Sequence, residues 1–209
     1  MVRAFNATCL FLSWIALAGG TAITAQAQTQ TSASDATQFV EGLSERVSAV
    51  LARYEQGKSE QDRQALAQLA TEAFAMDVVS RFVLGPTWQQ ASPAQQEEFQ
   101  RVFSQWMVGV YGRRLGASKG GTLKVIGTDS IANGDALVKL IATQADGKTV
   151  DLGLRVRDVR GQMKIIDVMA AGVSMATTQR QEFSSIINNQ GIDGLLTSLK
   201  AKAAAADAG

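Results

Sequence analysis

The 209-residue chain has no histidine, one cysteine and two prolines. Without histidine there can be no Ser-His-Asp triad, no Cys-His pair, no imidazole-ligated zinc or iron and no imidazole proton shuttle. A lone cysteine excludes an internal disulfide framework and a cysteine-held cluster. An excess of one charge is also missing: 20 Lys and Arg stand against 19 Asp and Glu. Such a balance offers no electrostatic case for nucleic acid. What catalysis remains open would rest on carboxylates, a Ser-Lys pair or tyrosine, and no metal or cofactor is expected. Apolar residues make up 46% of the chain, enough for a sizeable core in one domain.

The N-terminus reads as a secretory signal peptide over residues 1–27. Arg3 precedes the apolar run Cys9 to Ala18, and Ala25-Gln26-Ala27 fits an A-x-A cleavage site before Gln28. The apolar run is shorter than the roughly 20 residues a spanning helix requires. Cys9 would leave with the peptide. Residues 28–35, rich in Thr, Ser, Gln and Ala, are expected as a flexible leader. Residues 36–202 are expected as a single domain, and the Ala-rich 203–209 as a disordered tail.

Helical periodicity dominates as far as Leu115. Phe39, Val40, Leu43, Val47, Val50, Leu51 and Tyr54 share one stripe, ended by Gly57. Leu66, Leu69, Ala73 and Phe74 mark a second helix. Asp77 can cap a short third one, closed by Gly85-Pro86. The next helix has the clearest start: Ser92 as N-cap, Pro93 at the first helical position and Gln95 closing a capping box. Phe99, Val102, Phe103, Trp106, Met107, Val110 and Tyr111 then build its apolar face.

Beyond Gly116–Gly121 the period changes to two. Strands are predicted at 123–127, 136–143, 150–157 and 162–169, with Asp146-Gly147 as a hairpin turn. The last of these is apolar on both faces. Closing helices are predicted at 175–188 and 192–202. Helices, then an antiparallel four-stranded sheet, then helices argue an α+β fold.

Four features could carry chemistry. Gly116-Ala-Ser-Lys-Gly-Gly121 resembles a phosphate cradle but follows a helix and precedes a strand, the reverse of what such a loop needs. Asp167, inside an apolar run, is either a base with a raised pKa or a structural carboxylate paired with Arg81, Arg155 or Arg180. Arg113-Arg114 and Arg155-Val-Arg157 read as solvated basic faces. Gly109 and Gly112 allow either close helix packing or room for an apolar ligand.

Several segments resemble the MlaC/toluene-tolerance family. They are Arg81-Phe-Val-Leu-Gly85 with Trp88 and Ser92-Pro-Ala-Gln; Lys164-Ile-Ile-Asp-Val168 with Gly172-Val-Ser174; Arg180-Gln-Glu-Phe183 with Ile186-Ile187; and Gly191-Ile-Asp-Gly-Leu-Leu196. They stand in the family's order, with departures at Met163, Ala171 and Gln179. The resemblance implies a strongly curved sheet of the cystatin or nuclear-transport-factor kind, closed by helices over a deep apolar cavity. It also implies a periplasmic carrier, not an enzyme, that shuttles phospholipid between an outer-membrane lipoprotein complex and an inner-membrane ABC transporter complex. A hopanoid-associated relative would carry a polycyclic lipid instead.

Strand parity and the closing helix then select the residues expected against the acyl chains. These are Trp106, Met107, Val110, Leu140, Leu154, Val156, Val168 and Phe183, with the parity of Val168 ambiguous. The carrier is expected as a monomer. Two other classes stay open: an enzyme using Asp167 with Tyr111, and an adaptor with a filled core.

Overall fold

The computed structural model describes residues 31–54, 60–116, 122–143 and 147–207. The predicted signal peptide lies outside the described residues, as do Gly57, Asp146 and the loop after Gly116. Helices α1 (Ala33–Tyr54), α2 (Glu60–Ala73), α3 (Met76–Leu84), α4 (Thr87–Gln90) and α5 (Pro93–Gly116) come first. Strands β1 (Thr122–Ile131), β2 (Asp135–Thr143), β3 (Thr149–Val159), β4 (Gln162–Ala170) and β5 (Val173–Ser174) follow, and α6 (Met175–Asp207) closes the chain. The fold is the expected α+β arrangement, with a fifth strand that alternation could not reveal, because two residues show no period.

The sheet is an antiparallel meander in the order β1-β2-β3-β4-β5. β3 and β4 are joined by Arg160 and Gly161, both at positive φ (57° and 81°), the twist that a two-residue hairpin needs. Register shifts interrupt β1 between Val125 and Gly127, and the β3–β4 ladder beside Arg155 and Val156. Such bulges bend strands and increase their twist.

Helix starts follow local chemistry. The Ser92 amide donates to Gln95 Oε1 at 3.0 Å, and the Gln95 amide donates to Ser92 Oγ at 3.2 Å, which completes the predicted capping box. Asp77 does not cap α3. Ala75 takes the N-cap position without a side-chain bond, and its amide instead donates to the carbonyl of Ile165 in β4. The two closing helices form one element broken at Gly191, whose φ of 69° and ψ of −178° suit glycine alone.

Two chain ends differ from expectation. The leader expected over 28–35 is helical from Ala33. Thr31 is 2% exposed, its amide bonds the carbonyl of Gly134, and its hydroxyl accepts from the Asp158 amide. At the other end α6 continues to Asp207 with Ala203 buried, because alanine is the best helix former and this one docks.

Two apolar cores result. One joins α3, α5 and α6 through Val83, Leu84, Phe99, Val102, Phe103, Phe183 and Leu195. The other joins Ala36 and Val40 of α1 to Ala136, Val138, Leu140 and Val156 of the sheet. A smaller cluster, Val50 with Leu66 and Leu69, ties α1 to α2.

Candidate functional site

Of the eight residues expected to meet an apolar ligand, six fall into the two cores. Trp106, Met107 and Phe183 belong to the helical one. Phe183 lies at its centre, 5.8 Å from Phe99 and 5.7 Å from Phe103 in edge-to-face geometry, and 6.4 Å from Trp106. Rings in these arrangements attract through their quadrupoles as well as by burial. Leu140 and Val156 are buried in the sheet core, and Leu154 packs partly against it. Val168 pairs with Leu154 across the ladder and so shares its sheet face, which settles its parity. Neither core includes Val168. The side chains of Val110 and Tyr111 lie outside the described residues.

The face under α1 is apolar but incompletely covered. Leu123, Val125, Leu152, Leu154 and Met163 pack against its core while remaining half-buried. Sequence reasoning missed four of these, together with Ala36 and Val40. The signal was available in part, since Leu123 and Val125 have the parity of Leu140. The helix that crosses the sheet is set by tertiary packing and has no local signal. Neither of two open surface grooves, one against α1 and β1 and the other against α3 and α6, is lined by any of the eight residues.

Asp167 has a structural role that its setting explains. Its Oδ1 accepts from the Ala176 amide at 3.0 Å, and its Oδ2 accepts from the Ser174 hydroxyl at 2.6 Å. Ser174 Oγ in turn accepts from the Thr177 amide, so aspartate and serine together satisfy the first turn of α6. Arg155 stands opposite Asp167 in the β3–β4 ladder but sends its guanidinium to Asp135, and neither Arg81 nor Arg180 bonds the carboxylate. The Asp-Val…Gly-Val-Ser segment is therefore a helix-capping device.

The basic pair Arg155 and Arg157 is not a solvated face. Both reach Asp135, which is 1% exposed: Arg155 Nε donates to Oδ2 at 2.6 Å, and Arg157 Nε and Nη2 donate to Oδ1 and Oδ2 at 2.6 and 2.9 Å. The hydrogen bonds that Arg157 donates to the Asp135 carboxylate raise its pKa above the usual value. Strand parity puts all three on the face opposite Leu154, because Ala136, Leu154 and Val156 alternate with them.

The Arg81–Gly85 segment and Arg180 also meet. Gly85 has φ 55°, and a Cβ there would lie 2.9 Å from Arg180 Nη2. The positive φ favours glycine, and any Cβ would push the tip of the Arg180 side chain aside. The same guanidinium stands 5.2 Å from the Phe82 ring centroid, and that of Arg81 stands 5.7 Å from the ring of Trp88.

Among the described residues no helix is long and apolar enough to cross a membrane. The fold resembles the solved structure of a phospholipid-binding protein from Ralstonia solanacearum in complex with a phospholipid, with a TM-score of 0.74 and 22% sequence identity. That match covers 82% of this chain and 98% of the other. The family model described as MlaC protein matches residues 41–201, which take in α1 from its ninth residue, α2 to α5, the sheet and most of α6. With the capping device at Asp167–Ser174 and the Gly85–Arg180 contact inside that span, the chain belongs to the MlaC family.

Proposed function

We propose that this protein is a periplasmic lipid carrier that holds the acyl chains of a phospholipid against the sheet face under α1 and moves the lipid between membrane complexes. The observation that carries this is the half-covered apolar surface of Leu123, Val125, Leu152, Leu154 and Met163. Apolar surface left open beside a packed core is a place for an apolar ligand. Family membership and the phospholipid found in the Ralstonia protein support that choice of ligand. Burying a methylene is worth about 0.8 kcal/mol, so two chains of some thirty methylenes in all would cost roughly 25 kcal/mol to expose to water. A carrier of comparable apolar burial makes transfer nearly thermoneutral and needs no covalent step. The partners of such transfer would be an outer-membrane lipoprotein complex and an inner-membrane ABC transporter complex.

Leu154→Arg tests the placement of the chains. The guanidinium would enter the proposed acyl site beside Val138 and Val168. Phospholipid recovered by organic extraction is expected to fall by about tenfold or more, since an unpaired charge in an apolar site costs over 1.4 kcal/mol. Circular dichroism would confirm a folded variant. Full lipid recovery from folded Leu154→Arg would refute the placement.

A further inference from the structure

The α3–α6 surface carries a second kind of chemistry. Phe82 is 42% exposed, one of three large apolar side chains so exposed among the described residues. It borders an open groove of about 650 Å³ that Arg180, Thr177, Ser184, Ser185 and Asn188 also line. The lining offers a guanidinium, hydroxyls, amides and one ring, and contains no carboxylate. Glu182, the nearest acid along α6, is held by the Gln179 amide. The Arg180 guanidinium lies over the side-chain-free face of Gly85 and 5.2 Å from the Phe82 ring centroid, which places it at the groove beside the ring. Arg81, next to Phe82 in sequence, forms a second pair of the same type with Trp88.

We propose that this surface docks an acidic segment of a partner protein, with a carboxylate on Arg180 and a neighbouring apolar side chain on Phe82. Arginine and exposed aromatics are the residue types that concentrate binding energy at protein interfaces. The planar guanidinium fork binds a carboxylate through two parallel hydrogen bonds, a geometry that a lysine ammonium does not offer. An anionic bilayer surface selects clusters of about four to eight basic residues, more than this surface presents. The proposal does not depend on the cargo, and lipid content of the same samples is read separately.

The test is a nuclear magnetic resonance titration of the full mature protein with a soluble Glu-rich peptide containing leucines. Its lysine counterpart and vesicles of anionic phospholipid serve as comparisons. The expected result is shifts of the Phe82, Arg180 and Ser184 amides with the acidic peptide, weakened by salt. Arg180→Gln should reduce the affinity about tenfold or more. Phe82→Ser, at an exposed position, gives a second variant with the same expected loss if Arg180→Gln does not fold. Shifts confined to other residues, equal binding of the lysine peptide, or shifts caused by vesicles and not by the peptide would each overturn the proposal.

Discussion

Gly85 and Asp135 each do work that their residue type alone makes possible. At Gly85 a side chain would meet both a φ of 55° and the Arg180 guanidinium. Gly85→Ala is expected to cost about 1–3 kcal/mol from backbone strain, seen as a lower urea midpoint with an unchanged slope. Unchanged stability would contradict the strain assigned to this backbone position. Asp135→Asn would leave two guanidinium groups facing a neutral amide. Breaking a fully buried pair costs about 3–5 kcal/mol. Arg155 and Arg157 keep 31% and 35% side-chain exposure, so water returns part of that. A loss of about 2 kcal/mol is expected on that scale, and a loss too small to measure would contradict the pairing. Gly85 was legible as a helix stop, since Gly-Pro punctuates a chain. Asp135 was not, because it follows Asn133-Gly134 and reads as a turn residue. Its partners stand 20 and 22 residues away on another strand.

Elements show the same division between local and tertiary causes. The Ser92–Gln95 box and the apolar face of α5 through Met107 were legible because both lie within one helix. So were β2 and β3 from alternation and β4 from its apolar run after Gly161, while β1 was read only as far as Gly127 and continues to Ile131. The cover of the sheet by α1 was not, since Ala36 and Val40 look like any helical stripe until the sheet is placed beside them. The α6 cap lies between these extremes. Its aspartate is seven residues before its serine, across the turn that separates β4 from β5. Asp167→Asn is expected to destabilise by about 1–2 kcal/mol, the range of a lost charged cap, while bound lipid in the folded fraction stays unchanged. The enzyme alternative requires instead that this substitution abolish turnover at unchanged stability. Denaturation together with lipid extraction separates the two.

At the scale of the whole molecule, six of the eight candidate residues divide between two cores that share one sheet-and-helix frame. Parity correctly grouped Leu140, Leu154 and Val156, because pleat alternation fixes a face. It could not say that Trp106 and Phe183 pack with each other in a separate aromatic core, which depends on how α5 meets α6. The proposed carrier function therefore rests on the incompletely covered face under α1 more than on the helical core. Its most direct test is native mass spectrometry of the protein purified from cells without detergent, with lipid analysis of an organic extract. The account predicts a stoichiometric adduct that releases phospholipid. A bare protein mass that stays bare after incubation with phospholipid vesicles would contradict it.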